Sequence, residues 1–387
     1  MSRLRPIESV GMASVRWDEA RAACGLDVIA LSVADMDFAA PEEVTQAVME
    51  RAAKGNFCYT YLTASYFTTV SKWFESRYDW LVGPEEILGT GRVVEALPAL
   101  IQEFTSDGAE IVVPFPAYGP IPSAVGETGR VVRRWDLCEA SGTYEFDFET
   151  ARGVFEGAEA LILTNPHNPT GRVWTESELA SIARLAEECG LLVISDEVHS
   201  DLVLPGNKFT PFVKCAGPNL PAIAMLSPGK TFNIAGLETT NLVATNKQVR
   251  SRASTAIRRA GAHNPRFFAQ AAVEAAYSFG EPWLEELIQV VAQNADFVEK
   301  ELSALPGVRT TKPEGTYLLW LDCRKLGTSE QGLVSRLSEQ GLVLTPGSAF
   351  GAEGFLRMNL AVPHSTLRLA VERLRTAFSQ ARVNVAR

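Results

Sequence analysis

The sequence lacks the features that mark membrane, secreted and metal-binding proteins. It contains no apolar run of about 18 residues, the length that a membrane-spanning helix needs. Residues 1–6 lead into no apolar segment of the kind found in signal peptides. The six cysteines are scattered without the paired spacing of a metal site, which suits a reducing compartment. We therefore expect a cytoplasmic protein with no membrane partner and no metal.

An excess of positive charge is also absent, because 46 acidic residues outnumber 36 basic ones and the net charge is −10. This balance argues against a nucleic-acid partner, since binding to phosphates requires a basic surface. The chain has 387 residues, of which 46% are hydrophobic. It can therefore bury a large core, and we expect it to divide into two domains.

One lysine draws attention because it follows a short apolar run. Residues 222–226 (A-I-A-M-L) lead through Ser227 into P-G-K-T, which places Lys230 just after a predicted strand. Gly229 and Gly236 allow the backbone to turn tightly around a ligand, and the Ser227 hydroxyl can hydrogen-bond an anion. A lysine amine in such a place can form a Schiff base with an aldehyde. On this motif alone, the alternative is a surface lysine in a glycine-containing turn.

Two further apolar runs upstream also end in polar residues. The run A-L-I-L-T at 160–164 leads into N-P-H-N-P-T-G, which contains Asn168, and L-L-V-I-S at 191–195 leads into Asp196. Short continuous apolar runs that alternate with helical stretches are typical of a parallel sheet. Ligands bind at the carboxyl ends of such strands, so we expect Asn168, Asp196 and Lys230 to meet there.

This set of motifs resembles the fold-type-I pyridoxal-phosphate (PLP) enzymes of the class I/II aminotransferase superfamily. The similarity covers nearly the whole chain, and the motifs occur in the family's order. It implies an α/β, aspartate aminotransferase-like fold with a large, mostly parallel sheet domain and a small α+β domain. We expect residues 1–45 to form an arm that joins the small domain, 46–280 the large PLP-binding domain and 281–387 the small C-terminal domain.

The resemblance implies a role for each polar residue at the sheet edge. Lys230 would be the Schiff-base lysine, and Asp196 would pair with the pyridine nitrogen and keep it protonated. Asn168 would hydrogen-bond the 3′ oxygen of the ring, Tyr118 in P-F-P-A-Y would stack on the ring, and Ser227 would touch the phosphate. Two alternatives remain from the residues themselves: Asp196 is also a suitable helix N-cap, and Tyr118 a suitable core residue.

Three other positions match family residues that bind anions. Val93 and Val94 match the pair whose backbone amides hold the PLP phosphate at a helix N-terminus. Arg357 matches the arginine that receives the α-carboxylate of the substrate, together with Asn168, because a guanidinium pairs with a carboxylate in a bidentate way. The alternative for Arg357 is a surface charge on an edge strand.

Four motifs are similar to the cystathionine β-lyase branch of the superfamily, the cysteine-S-conjugate β-lyases. They are V-A-D-M-D-F at 33–38, F-C-Y-T-Y at 57–61, D-E-V-H-S-D-L at 196–202 and K-T-F-N-I-A-G-L at 230–237. The discriminating residue is His199, a predicted cofactor contact, because aspartate-type aminotransferases have tyrosine three residues after the pyridine aspartate.

The resemblance also implies a homodimer with shared active sites. Tyr59 would reach the PLP phosphate of the neighbouring subunit, so that each active site needs both chains. The alternative is that Tyr59 packs against aromatic residues of its own subunit.

The branch implies a PLP-dependent carbon–sulfur β-lyase that cleaves an S-substituted cysteine to a thiol, pyruvate and ammonia. Lys230 would do the covalent work and remove the α-proton. PLP labilises three bonds at Cα, so an aminotransferase and a decarboxylating oxidative deaminase acting on an S-cysteine conjugate are alternatives. A PLP-binding protein that docks on a regulator is an alternative of another class.

The sequence departs from the family pattern near the predicted pocket. Arg92 stands where a small residue is usual, Glu95 where an apolar residue or proline is common, and Cys58 where glycine is usual. Glu238 begins an unusual polar run after the lysine motif. Arg92 is either a contact for an acidic part of the substrate or a solvated charge. These departures leave room for a large S-cysteine conjugate from secondary metabolism in place of cystathionine.

Overall fold

The computed structural model describes residues 2–140, 142–244 and 246–383. Its helices are α1 (Trp17–Cys24), α2 (Glu42–Ala53), α3 (Ala64–Tyr78), α4 (Val93–Phe104), α5 (Pro120–Glu127), α6 (Phe148–Phe155), α7 (Glu176–Cys189), α8 (Phe212–Cys215), α9 (Pro228–Thr231), α10 (Lys247–Arg259), α11 (Ala269–Phe279), α12 (Glu281–Ser303), α13 (Glu330–Glu339) and α14 (His364–Val383). Its strands are β1 (Ile29–Ala30), β2 (Ile87–Thr90), β3 (Glu110–Phe115), β4 (Val131–Asp136), β5 (Cys138–Ala140), β6 (Thr143–Glu145), β7 (Ala160–Thr164), β8 (Leu192–Asp196), β9 (Ala222–Leu226), β10 (Thr240–Val243), β11 (Arg309–Thr311), β12 (Leu318–Asp322), β13 (Leu342–Val343), β14 (Thr345–Pro346) and β15 (Phe355–Asn359).

The large sheet of the described residues has seven strands in the order β2-β10-β9-β8-β7-β3-β4. All neighbours are parallel except β10, which runs antiparallel to both β2 and β9. Every residue of β7, β8 and β9 is buried. Strands covered on both faces need apolar side chains at all positions, which explains their continuous apolar sequences.

Alternate residues of these strands face two separate cores. Leu161 and Val193 belong to a large core that includes residues of α7 and α11. Ile162 and Ile194 belong to a second core that includes residues of α4 and α10. Because successive side chains of a strand point to opposite faces, this alternation places helices on both sides of the sheet.

The crossover from β7 to β8 shows how local sequence sets the positions of the site residues. Thr175 caps the start of helix α7: its hydroxyl accepts a hydrogen bond from the Glu178 amide at 3.2 Å, while the Glu178 carboxylate accepts one from the Thr175 amide at 2.7 Å. Gly190 caps its end, with a left-handed φ of 74° that favours glycine. These caps return the chain to the sheet, so that β8 lies parallel to β7.

The C-terminal part contains a smaller antiparallel sheet in the order β11-β12-β15-β14. Its central strands β12 and β15 are buried at every position. The N-terminal arm joins this part, because Ile29 in β1 pairs in parallel with Leu342 in β13. A mostly parallel sheet and a separate antiparallel sheet are the arrangement that the sequence predicts. Within the described ranges, the helices include none with the length and apolar character needed to span a bilayer.

Candidate active site

The carboxyl ends of three adjacent strands place the predicted polar residues together. Strand β8 ends at Asp196, which lies opposite Thr164 of β7 and Met225 of β9. Asn168 follows β7, and Lys230 lies in the short helix α9 after β9. A cavity of about 160 Å³ opens here, and its lining includes Asp196 and Lys230. Other predicted site residues that line the same cavity are Val93, Val94, Tyr118 and Ser227.

The amine of Lys230 is partly buried and held by the N-terminal arm. Its Nζ donates a hydrogen bond to the carbonyl oxygen of Ala34 at 2.7 Å and lies 3.8 Å from Oδ1 of Asp35. Burial lowers the pKa of Lys230, and the positive charge of Arg357 lowers it further, whereas Asp35 and Asp196 act in the opposite direction. A lowered pKa makes the neutral amine, which is both a nucleophile and a base, more accessible near neutral pH.

The carboxyl group of Asp196 is buried at the end of its strand. Burial raises its pKa to about 6, while the backbone N–H of Val198 and the charge of Lys230 act to lower it. The Val198 amide lies 3.4 Å from Oδ1. The residues that follow Asp196 form a turn rather than a helix, so Asp196 is not a helix N-cap.

Arg357 lies inside the protein on β15, between β12 and β14. Its Nη1 donates to Oδ1 of Asn168 at 3.0 Å, and its Nη2 donates to the carbonyl oxygen of Ser32 at 2.8 Å. Its Nε is buried without a partner. Burial lowers its pKa to about 10, so the group stays cationic at neutral pH. The surface-charge alternative for Arg357 is wrong, because only 5% of the residue is exposed.

His199 is buried beside the same residues. Its ring packs edge-on against Tyr317 at a centroid distance of 5.9 Å, and its Nδ1 has no hydrogen-bond partner. Burial, reinforced by the charges of Lys230 and Arg357, lowers the pKa of His199 to about 3. The imidazole is therefore neutral at physiological pH, with a ring nitrogen available to a bound molecule.

The end of the cavity near helix α4 has groups suited to an anion. Val93 and Val94 begin this helix of twelve residues, whose first backbone amides have no partner within the helix. Oγ of Ser227 accepts from the Gly229 amide at 3.1 Å and donates to the carbonyl of Thr239 at 2.6 Å. These contacts place the Ser227 hydroxyl at the start of α9, and it can donate to an anion when it releases the Thr239 carbonyl.

Four charged side chains form a network at this end. Glu238 pairs with Arg92 at 3.4 Å and with Arg266 at 2.6 Å, and Glu95 pairs with the same two arginines at 3.1 and 3.3 Å. Glu238 has a left-handed φ of 50°, an uncommon conformation for a residue other than glycine. Arg92 is therefore neutralised by two carboxylates, although 55% of its side chain is exposed.

Tyr59 is the one predicted site residue that the structure leaves far out in solvent. It is 94% exposed, and the neighbouring Phe57 and Tyr61 are also exposed. Packing of Tyr59 within its own subunit, the alternative considered from the sequence, is inconsistent with this exposure.

Sequence reasoning missed the contacts of the arm with the lysine. Ala34 and Asp35 lie within the motif V-A-D-M-D-F, which indicates the branch but carries no local sign of a contact with Lys230. The two partners of the Lys230–Ala34 hydrogen bond are 196 positions apart. Thr240 was missed as well: it lines the cavity, and its Oγ1 is buried without a partner.

A buried acid next to Asp196 gives a prediction on stability. Burial raises the pKa of Glu197 to about 8; its Oε1 accepts from Ser195 and the Phe212 amide, and Oε2 has no partner. Because the folded pKa lies above the unfolded value, the folded chain binds the proton more tightly, and stability falls as the pH rises from about 4.5 to 8. We compare the free energy of unfolding of Glu197→Gln with that of the natural chain by urea unfolding. From pH 5 to pH 9, the difference should shift in favour of the variant by at least about 2 kcal/mol.

The matched control for this prediction is Glu145→Gln, which changes an exposed glutamate on β6. Its effect on the free energy of unfolding should change less between the two pH values than the effect of Glu197→Gln. A Glu197→Gln variant whose stability relative to the natural chain does not change with pH would show that this carboxyl is ionised in the folded protein.

Fold and site together define a class of protein. A partly buried lysine amine and a buried aspartate meet at the carboxyl edge of a mostly parallel sheet, where α/β proteins bind their ligands, and a buried arginine lies near them. The family model described as Aminotransferase class I and II matches residues 26–374. The chain belongs to this family.

Individual relatives indicate which branch of this family the chain is most similar to. The chain is 38% identical to cystathionine beta-lyase PatB of Bacillus subtilis over 380 residues, covering 96% of this chain and 98% of that protein. It is 30% identical to protein MalY of Escherichia coli, covering 97% and 98%. The crystal structure of cystalysin from Treponema denticola, which contains a pyridoxal 5′-phosphate cofactor, matches with a TM-score of 0.93 and 31% identity, covering 98% and 99% of the two chains. The predicted fold class and the predicted branch are confirmed.

Proposed function

We propose that the chain is a PLP-dependent carbon–sulfur β-lyase that cleaves an S-substituted cysteine to a thiol, pyruvate and ammonia. One observation carries the proposal. Lys230 and Asp196 line one cavity, and Arg357, which is bonded to Asn168, lies close enough for its charge to lower the pKa of Lys230, in a chain that is 38% identical to a cystathionine β-lyase.

The residues present fit PLP in the chemistry of their donors and acceptors. The first amides of α4 at Val93 and Val94 suit a phosphate, and Tyr118 offers an aromatic face to the ring. The buried Oγ1 of Thr240, which lines the cavity, has no partner in the protein and can bond a cofactor. The buried Nδ1 of His199, next in the chain to the lining residue Val198, also has no partner. The first amides of α4 and the Ser227 hydroxyl would hold the phosphate, and Lys230 would bond the aldehyde.

The buried acid at the end of β8 would hold the ring nitrogen. When bound, PLP supplies an electron sink for the charge that develops at Cα of an amino acid. Asp196 strengthens that sink, because its carboxylate favours a proton on the pyridine nitrogen. With a pKa of about 6, Asp196 is mostly ionised above pH 7 even before this partner arrives.

The substrate would be oriented by Arg357 and Asn168. Arg357 binds the α-carboxylate in place of its bond to the Ser32 carbonyl, and Asn168 fixes the guanidinium through the 3.0 Å hydrogen bond. This orientation places the Cα–H bond toward the amine of Lys230, which removes the proton as a neutral base. The lowered pKa of Lys230 supports this role.

We further propose a homodimer in which the partner subunit's Tyr59 completes each site. Three exposed aromatic side chains near one another, at Phe57, Tyr59 and Tyr61, support an interface at this segment. The domain boundaries at residues 45 and 280, and a location in the cytoplasm, also remain proposals; six unpaired cysteines support a reducing compartment.

Mixing two inactive variants tests the shared site. Lys230→Ala and Tyr59→Ala homodimers should each be impaired, whereas a heterodimer has one site with both defects and one intact site. Random mixing makes half of the dimers mixed, so activity should recover to about a quarter of the natural level. Activity equal to the mean of the two homodimers would place Tyr59 and Lys230 of the same chain in one site.

The reaction is tested with a panel of S-substituted cysteines, from cystathionine to bulky conjugates, with products measured by mass spectrometry. The lyase releases thiol, pyruvate and ammonia in equal amounts and needs no added keto acid. An aminotransferase instead forms the keto acid of the substrate in proportion to an added amino acceptor, and a decarboxylating deaminase releases carbon dioxide. Either result would replace the proposed reaction while leaving the cofactor site unchanged.

A further inference from the structure

The arm segment at residues 32–35 is held by hydrogen bonds along its whole length. Each of its four carbonyl oxygens accepts at least one side-chain hydrogen bond, at distances of 2.5 to 2.8 Å for the closest contacts. The donors are Arg357 and Thr345 to Ser32, Asn359 to Val33, Lys230 and Tyr317 to Ala34, and Arg16 and Asn359 to Asp35. The bonds from Thr345, Tyr317, Asn359 and Arg16 hold this backbone in place without the two cations of the site.

The side chain of Asp35 differs from that of the neighbouring acid in the same motif. Asp37 is buried and fully engaged, because it accepts from Arg16 at 3.1 Å and from the Trp17 ring at 2.9 Å. The side chain of Asp35 is 44% exposed, and its Oδ1 lies 3.8 Å from Nζ of Lys230, too far for a hydrogen bond. Its carboxylate thus lies beside the reacting amine, on a backbone that is held in place, and is partly open to solvent.

The other carboxylates of the site are committed elsewhere. Among the described residues that line the cavity or pair with Lys230, the acids are Asp35, Asp196 and Glu238. Asp196 is buried at the strand end, and Glu238 is paired with two arginines at the opposite end of the cavity. Asp35 alone of these three lies on the arm that also contacts Arg357.

We propose that Asp35 binds the α-ammonium group of the incoming amino acid while Arg357 binds its α-carboxylate. This inference rests on the proposed function, in which Arg357 receives that carboxylate. A free amino acid carries both charges at its Cα, so a fixed carboxylate and a fixed guanidinium select it over simple carboxylic acids. With the amine of Lys230 holding the cofactor, the carboxylate of Asp35 would be left to the substrate ammonium, which would pass its proton to solvent before its nitrogen reacts.

The test compares an amino acid with its deaminated analogue on the cofactor-loaded enzyme. L-Alanine has no leaving group at Cβ, so the cofactor absorbance changes without elimination. Its binding is measured in stopped flow from the concentration at which the rate of this change half-saturates, which reports the complex that forms before the amino group bonds the cofactor. Propanoate is measured as a competitor of that change. Asp35→Asn should raise the half-saturating concentration of alanine by about tenfold or more, since a charge-assisted contact is lost, and leave that of propanoate within about twofold. Asp35→Glu should recover part of the affinity for alanine.

Asp79→Asn is the matched control, because Asp79 is an exposed acid that also pairs with a lysine, Lys214, at 3.4 Å. It should leave both ligands unaffected. An unchanged half-saturation for alanine in Asp35→Asn would overturn the assignment. An equal loss for alanine and propanoate would also overturn it, by showing a structural role. A protein that shows no cofactor absorbance at all would contradict the proposed function instead.

Discussion

Lys230→Ala is expected to lower the turnover of an S-substituted cysteine by at least about 10³-fold. The variant loses both the amine that links the cofactor and the base that removes the α-proton. Among the described residues, no other lysine contacts Ala34 or Asp35, the two residues beside this amine. The measurement is the rate of pyruvate release at saturating substrate. The visible absorbance that survives dialysis of the natural protein should be lost as well.

Lys72→Ala serves as the control for this variant, because Lys72 lies exposed on α3. It should retain both the rate and the absorbance. A Lys230→Ala protein that keeps its cofactor through dialysis and retains more than a small fraction of the rate would show that another residue does this work.

Asp196→Asn is expected to keep PLP bound but to lower turnover by about 10²-fold or more, the range seen when one preorganised electrostatic contact is removed. The amide has the size of the carboxylate but cannot favour a proton on the ring nitrogen, so charge at Cα is less stabilised. The variant should therefore keep its cofactor after dialysis while its rate of pyruvate release falls. Both quantities are compared with those of the natural protein and of Glu145→Gln, which changes an exposed acid on β6.

A near-normal rate in Asp196→Asn would refute the proposed role of this carboxyl. Loss of the cofactor together with the rate would show instead that Asp196 mainly retains PLP. These two outcomes are distinguished by the same pair of measurements.

The edge of the sheet was predictable because local sequence determines it. Three apolar runs, each followed by a polar motif, predict β7, β8 and β9, and the structure has these strands at Ala160–Thr164, Leu192–Asp196 and Ala222–Leu226. Their carboxyl ends must be adjacent once the strands pair in parallel. The proximity of Asp196 and Lys230 follows from that topology.

Contacts between distant segments were not predictable in the same way. The antiparallel insertion of β10 between β2 and β9 leaves no mark in its own sequence. The hydrogen bond from Arg357 to Ser32 joins residues 325 positions apart, and the pairing of Glu238 with Arg92 depends on how two loops meet. Family resemblance identified Arg357 without showing its partners, and it gave no reason to single out Asp35.

The most direct test of the account is peptide mapping after borohydride reduction of the PLP-loaded protein. Reduction makes the link between cofactor and lysine permanent, and mass spectrometry of the digested protein then locates it. We expect the added mass on the peptide that contains Lys230 and on no other lysine peptide. A label on any other lysine, or no label on a protein that has bound PLP, would contradict it.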